Sequence, residues 1–264
     1  YEYISLISLG MVANVFYNLF SSYLRAVGNS RMPLVFLVLS ACLNVVLDLI
    51  LIINFKMGVA GAAWATNLSQ AISAVLCAVY IYKKVPALMP EKRHWRFHKG
   101  DTRYQLATGI PMALQFAITS SGTMVMQSAI NLFGSEAVAA YTAAGKIHGL
   151  LTQGMVAMGQ TMAVYSGQNY GKGDAGRIRQ GVRAALIIEV IYSVASAVVV
   201  SAALGPSLGL FFSGEVDLAA MMPWARTYTT ICTLFYVPLC TIFIFRNTMQ
   251  GCGYGFLPMM GGVS

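Results

Sequence analysis

YLRAVGNSRMP, residues 23–33, separates two long apolar runs and indicates how the whole chain folds. Gly28 suits the left-handed backbone conformation that ends many helices, because glycine has no Cβ to clash there. Pro33 suits the first turn of the following helix, where the N–H that proline lacks has no helical partner. The stretch therefore predicts two consecutive helices joined by a tight, basic turn.

The composition of the chain indicates a membrane protein. Hydrophobic residues make up 57% of the sequence and charged residues only 10%, whereas about 25% of the residues in soluble domains are charged. So few charges could not cover the surface of a soluble body of this size, and we therefore expect lipid to be the main solvent. The five cysteines form no CxxC pair, so neither a disulfide framework nor a zinc site is indicated.

Apolar runs of the right length to cross a bilayer, about 20 residues, occupy most of the sequence. There are seven of them, and an eighth begins near residue 256: A 3–25, B 33–54, C 58–82, D 104–133, E 136–165, F 179–204 and G 222–249. They are unbroken rather than alternating, which argues against strands. We predict an all-α, polytopic membrane bundle. Because the chain begins without Met and ends soon after a new apolar stretch, we expect a fragment of a longer protein.

Basic residues alternate between rich and poor connectors. The connectors after A, C, E and G are basic, whereas those after B, D and F contain few Lys or Arg residues. The positive-inside rule gives this pattern for a chain that crosses a bilayer at every run. Cytoplasmic loops are therefore expected at residues 25–32, 83–103, 166–178 and 250–256. Since the net charge of +8 is spread over these loops, it indicates membrane orientation and no nucleic-acid partner.

The stretch MQGCGYGFLP, residues 249–258, has the same glycine–proline spacing as the first turn: Gly253 and Pro258 are as far apart as Gly28 and Pro33. Runs A and G are separated by an even number of crossings, so they cross in the same direction. An equivalence between them implies parallel repeats related by an axis along the membrane normal. The basic connector after C would then link two pseudo-symmetric six-helix lobes. Two ordinary helix–turn–helix links are the alternative.

Polar residues inside runs A, B and C form stripes at helical spacing. Asp48 lies well inside run B, and an ionisable group within hydrocarbon is by default a functional candidate. Residues four apart share one face of a helix. This spacing occurs at Ser40, Asn44 and Asp48 in B, at Asn14 and Asn18 in A, and at Thr66 and Gln70 in C. Three packed helices of this kind would enclose a hydrated pocket around one carboxylate.

Such a pocket is compatible with two chemistries. The oxygen atoms of Asp48, Asn44 and Thr66 suit a hard cation such as Na⁺. Alternatively, the buried carboxyl group of Asp48 takes up and releases a proton. A third interpretation is structural, because polar residues in membrane bundles also form interhelical hydrogen bonds.

The second half of the sequence carries isolated polar residues and prolines. Lys146 in run E would face a cavity, pair with a carboxylate or extend toward the interface, and His148 reads as a satisfied polar group. Glu189 in run F is expected to have a local structural role. Pro111 and Pro238 lie inside D and G, where proline removes a helix hydrogen bond and kinks the helix, either as a hinge or statically.

The candidate substrate cavity lies in runs D and E. Methionines such as Met155 can line a site that accepts many ligand shapes, although core packing is the alternative. With Met155 we group Lys146, Gln115 and Thr119 as the candidate cavity residues. The sequence has no phosphate-binding loop, HExxH or GxSxG motif, so we expect no enzyme activity.

Several of these stretches together resemble the multidrug and toxic compound extrusion (MATE) transporters. In the first half they are YLRAVGNSRMP, LNVVLDLILI and GVAGAAWAT. AVAAYTAAGKI and GQNYGKGDAGRIRQ resemble the matching signatures of the family's second lobe. The resemblance runs essentially from end to end of the chain.

The resemblance implies a position for each run in a twelve-helix protein with two six-helix lobes. Runs A to C correspond to the fourth to sixth helices, D to G to the seventh to tenth, and the last run opens the eleventh. Residues 1–82 would then form the C-terminal half of the first lobe, residues 83–103 a cytoplasmic linker and residues 104–264 the second lobe.

The resemblance also implies an activity. The family expels cationic and amphipathic compounds in exchange for Na⁺ or H⁺, so we predict a secondary active multidrug exporter that works by alternating access. We expect a monomer in the plasma or inner membrane, with no cofactor beyond the coupling ion.

The family's coupling residues on its fifth and sixth helices match Asn44, Asp48 and Thr66, and a fourth-helix asparagine matches Asn18. Where one branch carries an acidic residue on the seventh helix, this chain has Thr119. Run G contains no acid well inside it either. The expected coupling residue is therefore Asp48.

Other functions are also compatible with a polytopic bundle. A lipid-linked oligosaccharide flippase of the same superfamily would need several inward basic residues for a pyrophosphate, whereas only Lys146 stands out here. A seven-helix receptor is disfavoured by the repeat and by the lack of an extracellular disulfide pair. A membrane-embedded enzyme would need a cluster of His, Asp or Glu residues, and none is evident.

Overall fold

The computed structural model describes residues 2–91, 98–211 and 218–263, and within these ranges every regular element is a helix. The runs form nine α-helices there: α1 Glu2–Ala26, α2 Arg31–Leu49, α3 Gly58–Lys84, α4 Lys99–Ile130, α5 Ser135–Gly171, α6 Ala175–Phe211, α7 Leu218–Leu234, α8 Tyr236–Gly251 and α9 Phe256–Val263. The all-α prediction is confirmed.

The chain divides into two compact units, residues 1–97 and 98–264. Unit 1 contains α1 to α3, and unit 2 contains α4 to α9. The division falls inside the basic segment 83–103. Residues 92–97 of that segment lie outside the described ranges.

Four described helices are long and apolar enough to cross a membrane: Ile4–Ala26, Arg31–Asn54, Gly58–Lys84 and Ala175–Pro206. The helices Met221–Leu234 and Tyr236–Gly251 meet at a bend of 46°, and as one broken span they would make a fifth crossing among the described residues. Runs D and E also form continuous helices, α4 and α5. These two helices are long enough to cross a membrane but less apolar, because many of their residues are Ser, Thr, Gln or Gly. The chain is a membrane protein.

The predicted loop at 166–178 is wrong in its extent. Helix α5 continues to Gly171 and α6 begins at Ala175, so only three residues, 172–174, connect them. Asp174 caps the start of α6, because its Oδ1 accepts a hydrogen bond from the backbone N–H of Arg177 at 2.9 Å. The apolar run ends at residue 165, but the backbone hydrogen bonds of α5 continue through the polar residues that follow, to Gly171. The end of an apolar run therefore does not mark the end of a helix.

The two glycine turns have the predicted conformation. Gly28 and Gly253 have φ angles of 86° and 89°. In each turn the residue after the glycine donates its N–H to the carbonyl four residues before the glycine, at 2.9 and 3.0 Å. Gly173 ends α5 with the same bond, at 3.0 Å, but no proline follows at the same spacing. The glycine turn is thus a common helix ending here, and the added proline is what relates the first and last turns.

Helices α1 and α3 of unit 1 run parallel. Asn67 Nδ2 donates to the carbonyl of Leu6 at 2.6 Å, and Leu24 packs in one cluster with Cys77. The residue numbers therefore rise together along both helices. The buried core of unit 1 also includes Tyr17 of α1, Phe36 of α2, and Ala74 and Ile81 of α3.

Helices α5 and α6 of unit 2 run antiparallel. Tyr192 Oη donates to the carbonyl of Leu151 at 2.8 Å, and Tyr165 Oη donates to that of Arg177 at 3.0 Å. One residue number falls as the other rises. This is the arrangement expected of two consecutive helices that cross a bilayer in opposite directions.

Helix α5 runs parallel to the α7–α8 pair. The rings of Tyr141 and Tyr228 lie edge to face at 5.1 Å, and the backbones of Gly167 and Gly251 approach closely further along. Residue numbers rise together on the two sides. Helices α5, α6 and α7–α8 therefore alternate in direction, as successive crossings require.

Proline has different effects in α4 and in run G. Run G breaks at Phe235, three residues before Pro238, and bends by 46° there. Proline has no N–H to donate to the carbonyl four residues earlier, at Leu234, which weakens the helix at this point. The predicted kink at Pro238 is confirmed. Helix α4, by contrast, continues unbroken through Pro111.

Candidate functional site

Two predicted site residues meet in unit 1, where α2 packs antiparallel to α3. Ser73 Oγ donates to the carbonyl of Phe36 at 3.1 Å, and further along Asn44 Nδ2 donates to Thr66 Oγ1 at 3.5 Å. The Thr66 hydroxyl in turn donates to the carbonyl of Ala62 at 3.0 Å. The interhelical bond places an amide oxygen and a hydroxyl oxygen at one level of the helix pair.

Asp48 lies one helical turn beyond Asn44 on α2 and is half-buried. Its Oδ1 is shielded from solvent, and no hydrogen bond reaches this atom within the described part of the chain. A buried carboxylate oxygen without a partner is costly unless a proton or a cation neutralises it. Asp48, Asn44 and Thr66 therefore provide a carboxylate, an amide carbonyl and a hydroxyl, which are ligands that a hard cation accepts.

A π-helical turn, Ile50–Asn54, begins two residues after Asp48 and ends run B. Gly61 on α3 permits its close approach, since a Cβ there would lie 3.3 Å from the backbone of Leu51. Such turns are rare and often occur at functional sites. The hydrophobic pattern contains no signal for this turn, because a π-turn and an α-turn bury similar side chains.

The remaining members of the polar stripes are spread along unit 1. Gln70 has a buried Oε1 that accepts no hydrogen bond within the described residues. Because α2 and α3 are antiparallel, Gln70 and Asp48 lie on opposite sides of the Asn44–Thr66 bond. The two unpartnered oxygens therefore belong to different levels of the helix pair.

Asn18 lies far from Asp48. Its amide donates to Asn14 Oδ1 at 2.7 Å, and its side chain is exposed. The adjacent Tyr17 Oη donates to the carbonyl of Pro33 at 3.0 Å, which places this part of α1 beside the start of α2. At 1.5 Å per residue, Asp48 is about 20 Å further along α2. A role of Asn18 in the coupling site stays a prediction that depends on the resemblance.

The candidate cavity residues of unit 2 lie in two places. On α4, Gln115 is buried and its Oε1 accepts a bond from Gln250 Nε2 at 3.4 Å, while Thr119 is exposed and donates to the carbonyl of Gln115 at 2.9 Å. On α5, Lys146 is exposed, whereas Met155 is fully buried in a cluster with Tyr236 and Cys240. Met155 contributes to helix packing in this structure.

His148 is a satisfied polar group, as predicted, but its partners were not foreseeable from the sequence. Its Nδ1 bonds the hydroxyl of Tyr236, the first residue of α8, and its Nε2 lies 3.3 Å from Thr229 Oγ1 on α7. The ring also meets Tyr228 edge to face at 5.3 Å. His148 therefore contacts both halves of the bent helix pair.

Replacing His148 with Ala should lower the thermal stability of unit 2 and loosen the bend. The change removes two buried hydrogen bonds and leaves two buried hydroxyls unpaired, with an expected cost of about 2 kcal/mol. The measurement is the melting temperature of the purified protein. His98→Ala is the control, because His98 is exposed at the start of α4. Equal melting temperatures for the two variants would show that the contacts of His148 with α7 and α8 do not stabilise unit 2.

An open cavity of about 460 Å³ lies between α6 and α7 in unit 2. Its polar wall includes Ser201, Arg226, Thr229 and Thr230. Thr229 also contacts His148, so the cavity lies next to the bend between α7 and α8. No sequence pattern pointed to this cavity, because its two walls come from different helices.

Metal binding by clustered side chains has no support in the described ranges. No group of three or more His, Cys, Asp or Glu side chains is placed there to hold an ion.

Comparison with known proteins agrees with this architecture. The family model MatE matches residues 111–263, more than half of the chain. A second model, Lipid II flippase MurJ, matches residues 1–159. A curated relative, the probable multidrug resistance protein YpnP of Bacillus subtilis (strain 168), is 33% identical over 178 residues, which is 67% of this chain and 39% of that protein.

Solved structures show the same fold. An outward-facing multidrug resistance MATE family transporter of the MOP superfamily has a TM-score of 0.88 and 22% identity, covering 99% of this chain and 58% of that one. A MOP superfamily transporter from Pyrococcus furiosus, described as having a binding pocket of reverse polarity that suggests a different function, has a TM-score of 0.90 and 23% identity, with the same coverage.

The chain spans 39% of the length of YpnP and 58% of each of these two solved structures. Its motifs, its helical architecture and the match over residues 111–263 all lead to one assignment. The chain belongs to the MatE family, the multidrug and toxic compound extrusion transporters.

Proposed function

We propose that the protein carrying this chain exports cationic and amphipathic compounds in exchange for Na⁺ or H⁺. The observation that carries this proposal is the shielded Oδ1 of Asp48, which accepts no hydrogen bond from the described residues. Asp48 lies one helical turn beyond Asn44, which bonds Thr66 across two helices of membrane-spanning length. The name of the relative YpnP, a probable multidrug resistance protein, supports drug efflux as the activity.

Coupling follows from different affinities of two ligands for two conformations. An ion or proton at Asp48 would favour one form of the transporter, and bound drug would favour the other, so that each ligand displaces the other across the membrane. A ligand with equal affinity for both forms would shift nothing, however tightly it bound. Alternating access between inward-open and outward-open forms is the motion that this coupling would drive.

The proposed substrate contacts remain Lys146, Gln115, Thr119 and Met155. Met155 is packed in this structure, so its contact with a drug would require helix rearrangement during transport. The proposed location is the plasma or inner membrane, with the basic loops on the cytoplasmic side. Na⁺ or H⁺ is the proposed coupling ion, and a monomer is the proposed transport unit.

A lipid-linked flippase is the second candidate function. It is favoured by the match of residues 1–159 to the Lipid II flippase MurJ model. A flippase would need to neutralise a pyrophosphate with several basic residues. Lys146 and Arg226 lie away from the basic loops, and Arg246 lies inside α8. The name of the relative YpnP makes drug efflux the better-supported function.

Drug accumulation in cells that express the complete protein tests the proposal. Na⁺ and pH gradients are imposed separately, and accumulation of a fluorescent cationic dye is measured. We expect one gradient to lower dye accumulation several-fold against cells with the empty vector. Equal accumulation under every gradient would refute ion-coupled efflux, and flipping of a labelled lipid-linked sugar in vesicles would then favour the flippase.

A further inference from the structure

Glu189 in unit 2 is a second acidic residue with a shielded carboxylate oxygen that accepts no hydrogen bond from the described residues. It lies within the membrane-spanning segment Ala175–Pro206 and is only 3% exposed. No hydrogen bond reaches its Oε2 in the described part of the chain. The sequence suggested a local structural role for Glu189, but no structural partner accounts for this atom.

A second polar atom in the same state lies one turn away. Ser193 is completely buried, and its Oγ also has no hydrogen-bond partner among the described residues. Residues four apart share a helix face. Glu189 and Ser193 therefore belong to the same buried stripe of α6 and form a small polar patch there.

Apolar clusters enclose this patch on both sides. Before Glu189 on α6, Ala185 packs with Met162 of α5 and Ile244 of α8. Beyond it, Tyr192 and Ala197 pack with Met155 and Cys240 of the same two helices. The carboxyl group thus lies where α6 packs between α5 and α8.

The neighbouring helices offer no neutralising charge at this level. On α5, the facing stretch 155–162 contains no ionisable residue. On α8, Arg246 is the nearest basic residue, and its guanidinium lies over the ring of Phe243 at 4.8 Å. Other titratable side chains packed against this part of α6 include Tyr165 of α5, Cys232 of α7, and Tyr236 and Cys240 of α8. On α6 itself, Tyr192 lies beyond Glu189, and Arg183 lies six residues before it.

An ionised carboxylate is costly in such surroundings, because hydrocarbon and packed side chains cannot replace its hydration. A hard cation would need many oxygen ligands, typically six or more for Ca²⁺. The patch supplies only a carboxyl group and one hydroxyl. A proton is the ligand that needs no further oxygen atoms.

We propose that Glu189 is a proton-binding site of unit 2, protonated while α5, α6 and α8 are packed together. Release of the proton would place a charge inside this packing and favour its opening to water. Proton binding at Glu189 is thereby linked to the packing of these helices. The proposal does not depend on ion coupling at Asp48.

Infrared difference spectroscopy of the complete protein tests this proposal directly. A protonated carboxyl group has a carbonyl stretching band that ionised carboxylates lack, and a pH step reveals which bands change. We expect a protonated band in the wild-type protein that is absent in Glu189→Gln. The same band should persist in Glu136→Gln, an exposed acid at the start of α5, and in Asp48→Asn.

The outcomes separate the two acids. Loss of the band in Asp48→Asn but not in Glu189→Gln would assign the buried proton to Asp48 and overturn the proposal for Glu189. A wild-type spectrum without any protonated carboxyl band would overturn it as well. Should Glu189→Gln fail to fold, Glu189→Asp serves instead: a shifted band supports the assignment, and an unchanged band refutes it.

Discussion

Asp48→Asn is expected to abolish ion-driven drug efflux while leaving membrane insertion intact. Asparagine keeps the size of the side chain, so the α2–α3 packing should survive. It cannot bind a proton, and it offers a cation no negative charge. Coupling free energies are typically about 1–3 kcal/mol, or about 5- to 150-fold in affinity. Without this coupling, the imposed gradient should drive no measurable efflux.

The measurement is dye efflux from vesicles that contain equal amounts of each variant under an imposed Na⁺ or pH gradient. Asp101→Asn is the matched control, because it makes the same chemical change at an exposed position in the first turn of α4. Undiminished efflux in Asp48→Asn would remove Asp48 from the coupling mechanism. An equal loss in both variants would show that the effect is not specific to the buried site.

Gly251→Ala should strongly destabilise unit 2. A Cβ at Gly251 would lie 2.2 Å from the carbonyl oxygen of Ala163, which belongs to the backbone of α5. A backbone atom cannot rotate away as a flexible side chain can, so α5 and α8 must separate. Overpacking of this kind costs about 1–3 kcal/mol and occasionally more, and we expect the upper end of that range.

Thermal unfolding of the purified protein checks this prediction. Gly149→Ala is the matched control: Gly149 also lies on α5, and a Cβ there would meet no atom within 4 Å. Alanine is a better helix former than glycine by about 1 kcal/mol, so this control should be neutral or slightly stabilising. A melting temperature of Gly251→Ala as high as that of Gly149→Ala would show that the two helices tolerate a wider spacing.

Much of the fold followed from the sequence because its causes are local. Apolar runs of membrane-spanning length predicted the helices, and Gly28 and Pro33 marked a helix end and the next helix start that the structure places at Ala26 and Arg31. Backbone conformations of this kind depend on a few neighbouring residues. The end of α5 was missed for the complementary reason, because polar residues extended the helix beyond its apolar part.

The candidate site was only partly predictable. The spacing of Asn44 and Asp48 placed them on one face of a helix. Only packing shows that Asn44 bonds Thr66 and that no described residue donates a hydrogen bond to Asp48 Oδ1. Asn18 lies far from Asp48, although both belong to polar stripes. Helical spacing predicts which face of a helix a residue occupies, but not which residues of a neighbouring helix lie opposite it.

By itself, the sequence determined a polytopic helical membrane protein and its approximate spans, because composition, hydrophobic length and local turns are properties of consecutive residues. The family was indicated separately, by the resemblance of several motifs to the multidrug and toxic compound extrusion transporters. Tertiary structure decided which groups meet: His148 contacts both halves of the bent helix pair, and Gly251 lies against Ala163. It also encloses Glu189, whose Oε2 accepts no hydrogen bond from the described residues. These contacts join segments tens of residues apart. They depend on how each helix is rotated and shifted against its neighbours, which no single run of sequence specifies.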